Sequence, residues 1–235
     1  ERSRRAVAAA GGSLTLCRDR FGVKPLFYYN DGKTFAFASE IKSFLGLVEL
    51  EIDQDGLRQN VSIGTDANEI TPWKHVKQLL AGHRLTLERN GAIRLHRYWQ
   101  PIKHLPDIPA LYVARRERLQ ELLDRACALR LRADVPIATA LSGGLDSASV
   151  YATIKRIGAN AERRPERWQT AYVCRTEGMA DEEQQRAIKW LGGSGVLRVV
   201  DVSIKEAIER FDDILYSAAE FGKLYLSQWF LYRAM

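Results

Sequence analysis

Polar and apolar positions along the chain change period near residue 100. Before that point they come in short alternating runs at 13–18 and 34–38, with a compact apolar and aromatic run at 25–29. Alternation of period two is the mark of a half-buried strand, so this part is predicted to be β-rich. Asn30-Asp31-Gly32, between two of these runs, predicts one hairpin. Arg89-Asn90-Gly91, between 83–88 and 92–98, predicts another, because Asn and Gly tolerate the left-handed backbone that tight turns need. Between the hairpins, 39–45 reads as a short helix capped by Ser39, and Asp53 as the cap of a helix running toward Val61.

From Trp99 to Tyr112 the pattern breaks at Pro101, Pro106 and Pro109, each of which fixes φ and removes a backbone donor. The domains are therefore read as 1–100, a linker at 101–114, and 115–235. Beyond the linker, Leu119, Leu122, Leu123, Ala126 and Leu129 recur at helical spacing. Strand and helix then alternate three times: strands at 135–141, 169–175 and 196–202, helices at 146–157, 181–191 and 204–219. Ser203 and Glu206 form a capping box for the last helix. Repeated βα units predict a parallel sheet with helices on it and ligands at the carboxyl ends of its strands.

Composition narrows the function classes. The chain has 235 residues, 46% apolar and 27% charged, which excludes wholesale disorder, collagen and a long coiled coil. Its net charge of +6 raises the question of nucleic acid, but the basic clusters (Arg2, Arg4, Arg5; Arg115, Arg116, Arg118; Arg163, Arg164, Arg167) are dispersed and not interleaved with aromatics, and read as solvated faces. No nucleic-acid partner is expected. Cys17, Cys127 and Cys174 are far apart and without Cys-x-x-Cys spacing, so neither a disulfide framework nor a zinc site is suggested, and a cytoplasmic setting is favoured. No stretch approaches the roughly 18 apolar residues of a spanning helix, so no membrane is expected. Both ends read as internal to a longer protein.

The chemistry concentrates at Ala140-Leu141-Ser142-Gly143-Gly144-Leu145-Asp146-Ser147, where a predicted strand becomes a helix. Glycines let backbone approach a ligand, and a helix start offers unpaired N–H groups and the positive end of its dipole, which together make an anion cradle. Ser142 and Ser147 add hydroxyls. Asp146 would repel a phosphate unless a divalent cation bridged the two, so magnesium is implied if phosphate binds. The bland alternative is a tight turn with Asp146 as its cap. No Lys-Ser or Lys-Thr follows the glycines, so the loop is not of the Walker type.

The form Ser-Gly-Gly-x-Asp-Ser resembles the pyrophosphate loop of the ATP pyrophosphatases. Flanking segments narrow the likeness: Leu131-Arg132-Ala133-Asp134-Val135-Pro136, Arg18-Asp19-Arg20-Phe21-Gly22-Val23-Lys24-Pro25-Leu26-Phe27-Tyr28-Tyr29, Phe37-Ala38-Ser39-Glu40-Ile41-Lys42, Ala81-Gly82-His83 and Tyr98-Trp99 resemble glutamine-hydrolysing asparagine synthetase, in order along the chain. The resemblance implies an α/β protein: part of an Ntn-type α/β/β/α glutaminase domain, then a doubly wound parallel-sheet ATP pyrophosphatase domain. It implies a ligase that adenylates a carboxylate, aspartate in the family, before ammonia from glutamine displaces AMP. The implied substrates are ATP, that carboxylate, and glutamine or ammonia, with Mg2+ as cofactor; a homodimer of the full-length form is compatible with it.

By the same resemblance, Ser142, Gly143, Gly144 and Ser147 would hold the pyrophosphate and Asp146 the metal, while Leu141 and Val173 would contact adenine through backbone. Asp181 matches an acidic position close to the nucleotide, or caps a helix. No acid–base residue is assigned. The family's nucleophile is an N-terminal cysteine, whereas residue 1 is Glu and Cys17 reads as core. Arg18 and Asp19 read as organisers of a turn and of a domain contact. A β-lactam-forming or lasso-peptide-cyclase-type relative, or a catalytically inactive fragment, remain alternatives. His75, His83, His96 and His104 share no metal spacing, and His83 reads as structural. Trp168, Trp190 and Trp229 read as core; Leu224, Trp229, Phe230 and Tyr232 read as an apolar surface awaiting further chain.

Overall fold

The computed structural model describes residues 6–10, 12–63, 68–132, 135–158, 168–176, 182–191, 196–218 and 226–235. Asp181, Ala133, Asp134, Leu224 and the arginines at 2, 4, 5, 163, 164 and 167 lie outside them. The chain divides into two compact units, Glu1–Pro106 with Leu215–Leu224, and Asp107–Ile214 with Tyr225–Met235.

The first unit is built from β1 (Ala6–Ala10), β2 (Ser13–Cys17), β3 (Phe27–Asn30), β4 (Phe35–Ala38), α1 (Gln54–Ile63), β5 (Val76–Gln78), β6 (His83–Leu87) and β7 (Ile93–Arg97). One antiparallel sheet runs β1-β2-β6-β7 and another β4-β3-β5. Both predicted hairpins form, with Asn30 opposite Phe35 and Leu87 opposite Ile93. The apolar run before Asn30 is continuous because β3 is buried on both faces. Tyr28 joins Leu16, Leu26, Leu79 and Leu85 in one cluster, and Phe27 and Tyr29 join Ile41, Phe44 and Val76 in another. Asp53 caps α1 as predicted, its Oδ1 accepting from the Asp55 and Gly56 amides at 3.1 Å each. Ser39 does not cap: the following element is a single 3-10 turn, Ile41–Phe44, entered at Glu40 without a side-chain bond. Two strands have no counterpart in the alternation pattern. β1 is alanine-rich, and β5 has only three residues, too few to show a period.

The second unit comprises α2 (Tyr112–Arg130), β8 (Ile137–Ala140), α3 (Leu145–Gly158), β9 (Gln169–Thr176), α4 (Glu182–Leu191), β10 (Leu197–Val202), α5 (Ile204–Glu209), α6 (Phe211–Ala218) and α7 (Leu226–Ala234). The three strands are parallel in the order β10-β9-β8. Helix α2 starts inside the proline-rich stretch, at Tyr112. Its buried stripe only partly matches the one its leucines suggest: Leu123 packs with Cys127 and Leu131 on Ile154, whereas Leu119 is 67% exposed. The span read as one final helix is broken at Arg210 into α5 and α6, with Ser203 capping α5 by accepting from the Glu206 amide at 3.3 Å. Trp190 is 60% exposed rather than core; of the apolar surface expected near the end of the chain, Phe230 is buried whereas Tyr232 is exposed.

Candidate functional site

Strand β8 ends at Ala140, and the Leu141 amide extends its ladder by donating to the Tyr172 carbonyl at 2.8 Å. The Leu141 side chain anchors the turn in a core of Tyr151, Ala171, Val173, Ala187 and Leu191. The chain then reverses through Ser142, Gly143 and Gly144 into α3. Gly143 is buried at φ +86°, a left-handed conformation in which a side chain costs about 1–2 kcal/mol.

The two serines close the turn on itself. Ser147 Oγ, one turn into α3, accepts from the Ser142 amide at 3.1 Å and donates to the Gly144 carbonyl at 3.2 Å. With that proton committed, the Ser142 hydroxyl donates to Ser147 Oγ at 3.0 Å and accepts from the Gly144 amide at 3.2 Å. The hydroxyls expected to face a ligand are thus spent on the shape of the loop. What the loop presents outward is the start of α3: the N–H groups of Leu145, Asp146 and Ser147 have no carbonyl one turn earlier to bond. The Asp146 side chain is exposed in that first turn. Such an arrangement can take a polyanion on its amides and a divalent cation on its carboxylate.

No cluster of three or more His, Cys, Asp or Glu side chains capable of holding a metal occurs among the described residues. A lone exposed carboxylate suits magnesium, which usually keeps several waters and binds through one or two carboxylates plus substrate phosphates. Asp146 therefore fits the cation only together with a phosphorylated ligand.

Leu141 and Val173 are brought into one core cluster, so their side chains are structural and only their backbone is left for a ligand. On the opposite face of β9, the Cys174 thiol donates to the Ser227 carbonyl of α7 at 3.1 Å, and burial pushes the thiol up from its ordinary pKa. The sequence reading missed a pair at the carboxyl end of the sheet. Arg175 Nε and Nη2 donate to Asp201 Oδ1 and Oδ2 at 2.6 and 3.0 Å, across directly paired positions of β9 and β10. That hydrogen bond holds the Asp201 carboxyl below its ordinary range. Its signal was opposite charges near the ends of consecutive parallel strands.

The turn following β2 is shaped by Arg18 and Asp19. Arg18 is 5% exposed and donates to the carbonyls of Lys24, Leu79 and Gly22 at 3.1, 2.7 and 2.9 Å. Asp19 accepts from the amides of Phe21, Val23 and Lys24 at 3.2, 3.0 and 3.1 Å. Both organise the turn, as expected. His83 Nδ1 bonds the Ala81 carbonyl at 2.8 Å, a structural role, while Cys17 is half-buried rather than core.

Residues 7–99 match the family model of a glutamine amidotransferase domain, and residues 118–235 that of asparagine synthase. The chain is 34% identical over 151 residues to a putative glutamine-hydrolysing asparagine synthetase 2 of Methanocaldococcus jannaschii, covering 61% of this chain and 28% of that protein. It is 35% identical over 144 residues to glutamine-hydrolysing asparagine synthetase 3 of Bacillus subtilis, covering 59% and 23%. With amidase chry2 of Gibberella zeae it shares 30% over 215 residues, covering 85% and 31%. The aligned part thus spans between 23% and 31% of the length of these relatives.

Proposed function

The chain belongs to the asparagine synthase family, whose model covers residues 118–235, and on that premise we propose that it carries the ATP-binding part of an amide-forming ligase of the glutamine-hydrolysing asparagine synthase type. Residues 1–100 are then the later part of the glutaminase domain, 101–114 the linker and 115–235 the first part of the synthetase domain. The substrates are ATP, aspartate or another carboxylate, and glutamine or ammonia, and the setting is cytoplasmic. No helix among the described residues is long and apolar enough to cross a membrane.

The observation that carries this reading is the closed loop from Ser142 to Ser147, with a left-handed Gly143 and the open amides of α3. In adenylation a carboxylate oxygen attacks the α-phosphorus in line, the bond to the bridging oxygen breaks, and pyrophosphate leaves with the electron pair. The protein's task is to hold the leaving group and favour its growing charge. Gly143 and Gly144 let the backbone come close, and the amides of Leu145, Asp146 and Ser147 point at the β- and γ-phosphates. The backbone at Leu141 and Val173 lines the adenine side. Asp146 would hold magnesium, which would neutralise charge on the phosphates. Ammonia then attacks the acyl carbon, AMP departs, and the amide forms.

The test is ATP–pyrophosphate exchange by the full-length protein with L-aspartate present. Exchange that depends on the carboxylate is expected; exchange absent with every carboxylate tried sinks the reading. A second reading is the same chemistry on an acceptor other than aspartate, since the chain also aligns over 85% of its length with a protein named an amidase and not an asparagine synthetase. Exchange supported by another carboxylate and not by aspartate would select it.

A further inference from the structure

We propose that Arg175 is an anion-binding residue of this site, receiving an oxyanion of a substrate, and that Asp201 is the positioning residue that aims it. The inference rests on the adenylation reading and adds to it a binding residue outside the loop.

Placement is the first argument. In β9, Ala171 and Val173 face the core beneath α3 and α4, whereas Cys174 faces α7. Alternation puts Arg175 on the α3 side with Val173, and Asp201, its direct partner on β10, on that side too. Ala140, the last residue before the loop, is level with Tyr172, which puts Leu141 level with Val173. Arg175 therefore stands about two residues, roughly 6.6 Å, beyond the level of Val173, on the face from which α3 starts. Ligands of parallel sheets lie at this end. Among the described residues of the loop at 141–147 and the last two positions of the three strands, Arg175 is the one cation.

Geometry is the second. A guanidinium has five N–H donors in two forks. Asp201 takes the side fork, Nε with Nη2, in a bidentate pair. The end fork, Nη1 with the second Nη2 proton, is left in a fixed plane. A free arginine would have to be ordered on binding; this one is already aimed. As an element of stability the pair explains little, since both side chains are more than half exposed and such pairs contribute little in water. An oriented, accessible fork beside an anion cradle is the arrangement that recognises carboxylate or phosphate.

The oxyanion has two sources, the nucleotide phosphates and the acceptor's carboxylate, and steady-state exchange with the full-length protein separates them. Arg175→Met is expected to raise one KM about tenfold, the worth of one such pair, with a much smaller change in kcat. A rise in the KM for Mg-ATP assigns the phosphates; a rise in that for L-aspartate assigns the carboxylate. Arg175→Lys, which keeps charge and loses the fork, should recover only part of the loss, and Asp201→Asn should fall between wild type and Arg175→Met. Unchanged KM values in Arg175→Met, alongside normal wild-type exchange, overturn this inference alone. Equal losses in all three variants that track a lowered melting temperature overturn it as well. Wild-type protein without exchange removes the adenylation reading and this inference with it.

Discussion

The two turns that follow β2 and β8 are made from similar parts and end in opposite states. Each places an aspartate near its bend and leans on a glycine at positive φ, Gly22 at +64° and Gly143 at +86°. The turn at 18–24 is filled from within. A buried guanidinium takes three carbonyls and Asp19 takes three amides, so the turn is held by its own polar groups. The turn at 141–147 closes with two hydroxyls only, and its aspartate points outward at a helix start whose amides are open. A turn that satisfies its own polar groups is scaffold. One that holds its shape while leaving donors unpaired keeps its amides open to an anion.

The largest effect that could break this contrast is on stability. Arg18→Met leaves the carbonyls of Lys24, Leu79 and Gly22 without that donor, and should destabilise the first unit by about 3 kcal/mol in urea unfolding. A loss under about 0.5 kcal/mol would show that the buried arginine is not what shapes the turn. Next comes Gly143→Ala, whose cost in stability should be only about 1–2 kcal/mol. Its main effect should fall on ATP–pyrophosphate exchange, down at least about tenfold, because the side chain shifts the loop against the phosphates. Exchange unchanged in that variant would sharpen the contrast against the site.

The smallest effect is on pH. Burial raises the Asp19 pKa, but the amides of Lys24, Val23 and Phe21 outweigh it and hold the carboxyl below its ordinary value. A group whose folded pKa is depressed adds stability above its unfolded pKa, near 4, and loses it as pH falls through the lower folded value. Amide exchange at residues 21–24 should therefore show protection intact at pH 5 and fading below about pH 4. Protection that does not change down to pH 2 would remove Asp19 from the account.

Much of the molecule was legible along the chain because its signals are local. Asn30 and Gly91 mark hairpins through turn chemistry, Asp53 and Ser203 mark helix starts through caps, and the glycines and serines at 142–147 mark a tight strand-to-helix turn. The failures are equally specific. Leu119, Leu122, Leu123 and Leu129 have the spacing of a packed face, yet of these Leu123 packs with Cys127 and Leu131 on α3 while the others stay exposed, because periodicity does not say which edge of an apolar face finds a partner. Trp190 reads as core and lies largely in solvent, since α4 packs into that cluster through Ala187, Ile188 and Leu191.

Sequence alone determined the division into a β-rich and a βα part and the position of the loop, and through its ordered motifs it pointed to the family. Those depend on short-range pattern, capping and turn preference, which act between neighbours in the chain. Tertiary structure decided that Arg175 meets Asp201. It also decided which stripe of α2 is buried. Hydrogen bonds between strands and packing between helices join residues tens of positions apart, and their partners are chosen by register and approach, which no local pattern carries.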